Sequence, residues 1–346
     1  MQKTIWLLSA YRSDSHAYWA DWLVNKFSDF QWHKVELPGR HFRWRIRGNP
    51  LSWLHKLPDN KPDLILATSM VDLATLKGLH PHLAHTPCVY YFHENQFAYP
   101  VSKTQIDSVE PKMVQLYGAL AADKVLFNSK YNRDTFLHGV EELLKRLPDE
   151  IPEGIVERLE ANSGVLPVVV TPVEGGKLKN KKLILWNHRW EYDKAPHIFS
   201  DALLQLNKIN PDFELALLGS RPKIIPGALE EIQSQLSNNI IVNKKVNELE
   251  YRHYLGQALI VVSTAIHEFQ GLSMLEAVSA GVVPIVPDDL CYREQYAGEY
   301  RYTVGDSREL AGKISDYLRA VPEVPDVSRW YSKAIIEAWY QLLRDF

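Results

Sequence analysis

A chain of 346 residues is longer than one hydrophobic core comfortably organises, because ~100 to 200 residues per domain is usual, so two domains are expected. With 46% apolar and 23% charged residues, 17 Gly and 20 Pro, the composition excludes a collagenous or disordered chain. The net charge of -3 excludes a wholly basic nucleic-acid coat, yet residues 1–56 carry nine Lys or Arg against four Asp or Glu, a local +5 that leaves -8 for the remainder. Two cysteines, Cys88 and Cys291, cannot build a disulfide framework or a thiolate-rich metal site. The apolar run Ile5 to Ala10 is too short for a signal-peptide core, and no stretch reaches the ~18 apolar residues of a membrane span. A cytoplasmic location is expected.

In chain order, Thr4 to Ser9 reads as a buried strand, followed by the loop Tyr11 to His16 and an amphipathic helix over Ser15 to Phe27 with Tyr18, Trp19, Trp22, Leu23 and Phe27 on its apolar side. Trp32 to Leu37 is a second strand. The segment Pro38 to Pro50, PGRHFRWRIRGNP, alternates charged and apolar residues, which predicts a β-like strip with Arg43, Arg45 and Arg47 on one side and Phe42, Trp44 and Ile46 on the other. Such a guanidinium row, joined by Arg40, suits phosphates, and the rings suit stacked bases. A strand with snorkelling arginines over a core, or a patch for anionic lipid, fits the same residues. Further strands are predicted at Asp63 to Thr68, Cys88 to Phe92, Lys124 to Asn128 and Val168 to Thr171, with a helix over Pro111 to Ala122.

A polar stretch from Glu174 to Lys182 suits an exposed linker, after which strands recur at Leu183 to Trp186, Glu214 to Leu218, Ile240 to Val242, Leu259 to Ser263 and Val282 to Val286. Ser328 to Arg344, with Trp330, Ile335, Trp339 and Leu343 at roughly helical spacing, closes the chain as a helix. Alternating strands and helices force parallel pairing through right-handed crossovers, so the fold class is α/β with two facing, doubly wound Rossmann-like domains and a cleft between them. The boundaries are 1–173, 182–327 and a terminal helix at 328–346. Ligands of such sheets sit beyond the carboxyl ends of the strands.

The segment Ser263 to Asp289 carries the most chemistry: strand, loop with Glu268, Gly271 opening a helix that contains Glu276, Gly281 as carboxyl-terminal cap, then a strand. Exposed amides after Gly271, with the positive end of the helix dipole, make a ready phosphate site. A carboxylate beside a phosphate is unfavourable, so Glu268 and Glu276 are better used accepting hydrogen bonds from sugar hydroxyls on either side of a diphosphate. A nucleotide sugar has that layout. In Trp186 to Lys194, WNHRWEYDK, Arg189 and Lys194 stand five apart and can neutralise the charge that develops on a diphosphate leaving group without a metal. Each of these features has a bland counterpart in solvated loop or helix residues. His93, Glu94, Asn95 and Gln96 follow the strand Cys88 to Phe92 on the edge suited to chemistry. In the first loop, Ser13, Ser15 and His16 either contact substrate or cap the helix. Asp288 and Asp289 follow a strand and a proline and are read as turn residues.

Glu268-x7-Glu276 followed by AVSAG and a strand resembles retaining GT-B glycosyltransferases of the family-4 type. The resemblance implies that Glu268 holds donor-sugar hydroxyls, Gly271 and Leu272 offer amides to the diphosphate, Glu276 binds the ribose, Arg189 and Lys194 stabilise the leaving group, and His93 lies beside the anomeric carbon. The chain departs from many members in lacking a Gly-Gly pair between the first strand and first helix, where Tyr11 to His16 stand instead. Over nearly its full length, through GRHFRWRIRGNP, YFHENQFAYP, NHRWEYDK and HEFQGLSMLEAV, it resembles the tRNA-queuosine alpha-mannosyltransferase group. That group implies transfer of mannose from GDP-mannose to queuosine at the wobble position of tRNA for aspartate, with retention. For such an acceptor the candidate contacts are Ser13, His16, Arg40, Arg43, Arg45, Arg47, Glu94 and Asn95. No cofactor metal is expected. A front-face substitution, in which a leaving-group oxygen helps deprotonate the acceptor, requires no protein nucleophile; Glu94 is the carboxylate that a double displacement would use. A family-4 enzyme with a lipid or polysaccharide acceptor, and a non-catalytic RNA-binding protein on a decayed transferase fold, are the alternatives.

Overall fold

The computed structural model describes residues 2–100, 108–176 and 178–346. The chain divides into two compact units, Met1–Val168 with Ile335–Phe346, and Val169–Ala334. The division thus falls at Val168, and the end of the chain is grouped with the first unit.

The first unit runs β1 (Thr4–Arg12), α1 (Asp14–Lys26), β2 (Gln31–Pro38), α2 (Phe42–Trp53), β3 (Leu64–Thr68), α3 (Leu73–Leu79), β4 (Cys88–Phe92), α4 (Glu110–Leu120), β5 (Lys124–Phe127), α5 (Lys130–Leu144), α6 (Ile155–Asn162) and β6 (Ser163–Val165). Its strands pair in parallel in the order β2-β1-β3-β4-β5-β6. β3 and β4 are buried along their whole length, which is why they read as unbroken apolar runs rather than alternating ones. The sixth strand is not Val168 to Thr171 but Ser163–Val165, paired to β5 through Val125, Leu126 and Phe127. Pro167 lacks an amide for the ladder, so the valines beyond it are buried without a strand; only Val170 makes an isolated bridge, to Tyr331.

The arginine-rich segment also departs from expectation. It is the helix α2, not a β-like strip. Ile46, Asn49, Pro50 and Trp53 recur at helical spacing and are buried, so the period of 3.6 prevails over the apparent alternation. Pro50 removes one amide, and the Asn49 side chain compensates: its Nδ2 donates to the carbonyls of Arg45 (2.8 Å), Ile46 (3.2 Å) and Met70 (3.1 Å) while Oδ1 accepts the Asp72 amide (3.1 Å).

The second unit continues with β7 (Leu183–Trp186), α7 (Pro196–Ile209), β8 (Glu214–Leu217), α8 (Gly227–Gln235), β9 (Ile240–Asn243), α9 (Glu248–Gln257), β10 (Ile260–Val262), α10 (Leu272–Ser279), β11 (Val283–Pro287), α11 (Tyr292–Gln295), β12 (Arg301–Tyr302) and α12 (Ser307–Arg319). Its parallel order is β12-β11-β10-β7-β8-β9. The two-residue β12, which lacks a strand-like run in sequence, extends the expected five strands to six. Gly281 follows α10 at φ 80, the expected cap.

The terminal helix α13 begins at Ser332, not Ser328; Ser328–Trp330 is a 3-10 turn before it. It buries Ile335, Trp339 and Leu343 at four-residue intervals. Within the first unit, Trp339 packs on Trp19 and Tyr91, with centroids 5.8 and 5.4 Å apart, and Lys3 Nζ caps the Leu343 carbonyl at 2.9 Å.

Candidate active site

In the second unit the strand order reverses direction of winding between β7 and β10, and in open parallel sheets the crevice beyond the carboxyl ends at that switch is where ligands bind. The loop after β7 holds Asn187 to Lys194; the loop after β10 holds Ser263 to Gly271. Thr264 Oγ1 donates to the carbonyls of Lys194 (2.7 Å) and Ala195 (3.1 Å), and the Ile266 amide donates to the Asp193 carbonyl (2.9 Å), so the two loops are laced together.

This lacing brings Lys194 and Glu268 into contact. The Lys194 ammonium, only 9% exposed, donates to the His267 carbonyl (2.8 Å) and meets Glu268 Oε2 (3.1 Å) and Asp193 Oδ2 (3.2 Å). All three of its protons are therefore engaged. Burial pulls its pKa down, but the charges of Glu268 and Asp193 outweigh that and raise it. For Glu268 burial pushes the carboxyl up; the Lys194 and His188 charges, a Lys194 hydrogen bond and the Gly271 amide reverse this and bring it to about 2. Glu268 thus already holds two groups expected to meet the diphosphate, Lys194 and the Gly271 amide. Beyond them, at the start of α10, the amides of Leu272 and Ser273 have no acceptor among the described residues. Gly271 itself is left-handed at φ 64, with Tyr292 3.1 Å from where a Cβ would stand, so only glycine suits the turn.

Arg189 is 55% exposed and pairs with Glu191 at 3.2 Å, with Asp193 at 4.0 Å. His188 is buried, and desolvation with the nearby Lys194 charge lowers it to about 4 despite Glu268 and Asp193. Glu276 is half-buried on α10, and its Oε2 accepts from the Tyr251 hydroxyl at 3.1 Å. Sequence reading missed Asp193 and Tyr251. Asp193 was visible as a carboxylate adjoining Lys194; Tyr251, on another helix, left no signal.

In the first unit the switch lies between β1 and β3. Here His93 and His16, singled out separately, are stacked 4.1 Å apart at 21°, with Trp19 and Tyr91 edge-on to His93. Both imidazoles are buried. Burial lowers His16 to about 4 against a hydrogen bond to the Tyr11 backbone, and burial plus the His16 charge lowers His93 well below 6.5. His16 is thus a packing partner of His93, not an exposed contact. Asn95, also expected to face the acceptor, is wholly buried: Nδ2 donates to the Asn132 backbone and side chain and to Thr135, and Oδ1 accepts the Phe97 and Ala98 amides. Both polar atoms of its side chain are used internally. Glu94 is partly buried beside it, and Ser13 precedes α1 with its hydroxyl 3.4 Å from that of Ser15, so it does not cap the helix through its side chain.

Of the arginines, Arg47 is tied to buried Asp72 at 2.5 Å, while Arg40 and Arg43 are exposed and Arg45 is partly buried. Trp44, 51% exposed, shares the outer side of α2 with Arg43, whereas Ile46 is buried; rings and guanidinia are not segregated as the alternation implied.

The buried imidazole pair predicts acid sensitivity. Because both folded values lie below 6.5, the unfolded chain binds more protons between there and about 4. Stability is then fully present above about pH 6.5 and declines as pH falls, by about 1.4 kcal/mol per pH unit per imidazole. His16→Phe keeps a ring in the stack and removes one proton, so its Tm should depend less steeply on pH from 6.5 to 4; a slope equal to wild type would show that the pair does not carry the sensitivity.

Residues 4–170 match the family described as tRNA-queuosine alpha-mannosyltransferase N-terminal, and residues 170–326 match glycosyl transferases group 1. A Drosophila melanogaster protein named tRNA-queuosine alpha-mannosyltransferase is 35% identical over 297 residues, covering 82% of this chain and 78% of that one. The chain belongs to the tRNA-queuosine alpha-mannosyltransferase family. It is a glycosyltransferase of the hexosyl-transferring kind. Solved structures share its fold: sucrose-phosphate synthase from Thermosynechococcus elongatus (TM-score 0.73, 13% identity, 99% of each chain) and Anabaena Alr3699/HepE in complex with UDP (TM-score 0.71, 13% identity, 100% of each). S. aureus TarM, in complex with Fondaparinux, alpha-GlcNAc-glycerol and UDP, is similar at TM-score 0.64 and 14% identity over 87% of this chain, which spans 59% of the TarM chain. The two-domain α/β fold of this family member is that of the GT-B glycosyltransferases. Among the described residues no helix is long and apolar enough to cross a membrane.

Proposed function

We propose that this enzyme transfers mannose from GDP-mannose to the cyclopentenediol of queuosine at the wobble position of tRNA for aspartate, in the cytoplasm and with retained anomeric configuration. The observation that carries the reading is the 35% identity, over most of both chains, to a protein of that name. The switch-point residues of the second unit supply matching chemistry.

In this reading the diphosphate takes the start of α10, with the amides of Gly271 and Leu272, while Arg189 and Lys194 offset the charge that grows as the glycosidic bond breaks. Lys194 and the Gly271 amide are engaged by Glu268. Donor binding therefore exchanges anions: phosphate oxygens replace the Glu268 carboxylate, and Glu268 turns to the hydroxyls of the sugar. Glu276 accepts from the ribose. His93, held neutral by burial and with its Nε2 unpartnered among the described residues, can hydrogen-bond an uncharged hydroxyl without bringing a charge. The acceptor hydroxyl approaches on the leaving-group side and gives its proton to a diphosphate oxygen, so neither a protein nucleophile nor a metal is assigned. Arg40, Arg43 and Trp44 contact tRNA, phosphates meeting the guanidinia and a base stacking on the ring.

The exchange has a testable consequence. Glu268→Ala removes the resident competitor, so by calorimetry the variant should bind GDP as tightly as wild type or several-fold more tightly, while mannose transfer falls by about 10² or more. GDP affinity that falls in step with turnover would contradict the exchange.

A further inference from the structure

The carboxylate assigned to the ribose is held from outside its own helix. Asn187, just after β7, has its Nδ2 2.8 Å from the Ser273 carbonyl, a contact only a donor can make, which fixes the orientation of the amide. The same Nδ2 lies 3.2 Å from the Tyr251 hydroxyl, which in turn donates to Glu276 Oε2 at 3.1 Å. Three segments, the β7 loop, α9 and α10, thereby converge on one phenol. The bonds run in one direction: the amide donates, the hydroxyl relays and the carboxylate accepts.

Burial pushes the Glu276 carboxyl up, and the phenol opposes this by stabilising the ionised form. Oε2 is occupied by Tyr251, and Oε1 has no partner among the described residues. A carboxylate with one oxygen tied and one open is a prepared acceptor for a single hydroxyl. A carboxylate without the tie would rotate about its last torsion, and reordering it on binding would cost affinity. Tyr251 does not need to touch the ligand to have this effect.

We propose that Tyr251 is a positioning residue for the donor nucleotide: it relays the Asn187 amide to Glu276 Oε2, keeps Oε1 ready for one ribose hydroxyl, and so sets the preference for ribo- over deoxyribonucleotides. The proposal rests on the assignment of Glu276 to the ribose.

Calorimetry on the full chain with GDP, 2′-deoxy-GDP and 3′-deoxy-GDP tests it. Wild type should prefer GDP over one of the two deoxy forms by about tenfold, the scale of a hydrogen bond to a charged group. Tyr251→Phe should reduce that preference to threefold or less and raise the donor KM with little change in kcat, whereas a purely structural role would lower Tm and leave the preference intact. Glu276→Ala should abolish the preference, and adding Tyr251→Phe should change it no further. If Glu276→Ala abolishes the preference and Tyr251→Phe retains it, the relay is wrong and the ribose assignment stands. If Glu276→Ala keeps the wild-type preference, or wild type does not bind GDP, the assignment itself fails and takes the relay with it. Should Tyr251→Phe not fold, Asn187→Ala removes the upstream tether alone; an unchanged preference there overturns the relay.

Discussion

Replacing Lys194 by Ala is expected to lower kcat by about 10² to 10³ while weakening GDP-mannose binding far less, since the additional leaving-group charge it offsets develops only as the glycosidic bond breaks. The same substitution should be visible in folding. Lys194 is 9% exposed and serves both Glu268 and Asp193, so its loss leaves the partly buried Glu268 without its cation and the buried Asp193 with only Arg189, 4.0 Å away. Breaking a buried pair from one side costs about 3 to 5 kcal/mol, which for a domain of this size lowers Tm by roughly 6 to 20 °C. Burial then pushes Glu268 up instead of Lys194 holding it near 2, so the variant takes up protons that wild type refuses. In wild type the Glu268 contribution is present above the ordinary value of 4.5 and is lost as pH falls toward 2. Arg189 offers the contrast. It is half exposed and bound to Glu191, so Arg189→Ala should lose rate with little change in Tm. Kinetics and thermal melts on the two variants separate the roles, and equal loss of ground-state donor binding and kcat/KM in Lys194→Ala would contradict the transition-state account.

On the acceptor side, Arg43→Ala combined with Trp44→Ala should weaken tRNA binding by about 10- to 100-fold and leave GDP affinity unchanged. Both side chains lie on the outer face of α2, opposite Ile46, Asn49 and Trp53, so the helix should survive their removal. Losing one phosphate contact should also reduce the salt dependence of tRNA binding by about one unit of log-log slope. Arg47→Ala should instead cost stability, because it strips buried Asp72 of its partner. Filter binding across a salt series distinguishes these outcomes; tRNA affinity and slope equal to wild type in the double variant would move the RNA contact elsewhere and reopen a lipid acceptor for the arginines.

The donor loop was legible in sequence because its chemistry is local. Glu268, Gly271 and Glu276 lie within nine residues, and strand, glycine turn and helix follow from the same short segment. The fully buried strands β3, β4 and β7 announced themselves as continuous apolar runs bounded by turns. What sequence did not reveal depended on three dimensions. The inward turn of Lys194 follows from loops laced by Thr264 and Ile266; the pairing of His16 with His93 joins residues seventy-seven positions apart. Asn95 looked like a substrate ligand because its engagement by Asn132 and Thr135 leaves no mark in a linear reading. The strip at Phe42 to Arg47 departs for a different reason: alternation over six residues also fits a strand, whereas the burial of Ile46, Asn49, Pro50 and Trp53 completes a helical period that extends past the strip.

The most direct measurement is incubation of the purified chain with labelled GDP-mannose and tRNA for aspartate, with and without queuosine, followed by nucleoside analysis. The account predicts label on queuosine alone, in the α configuration, formed equally well in the presence of EDTA. Label absent from queuosine-bearing tRNA, or appearing equally on tRNA that lacks queuosine, would contradict it.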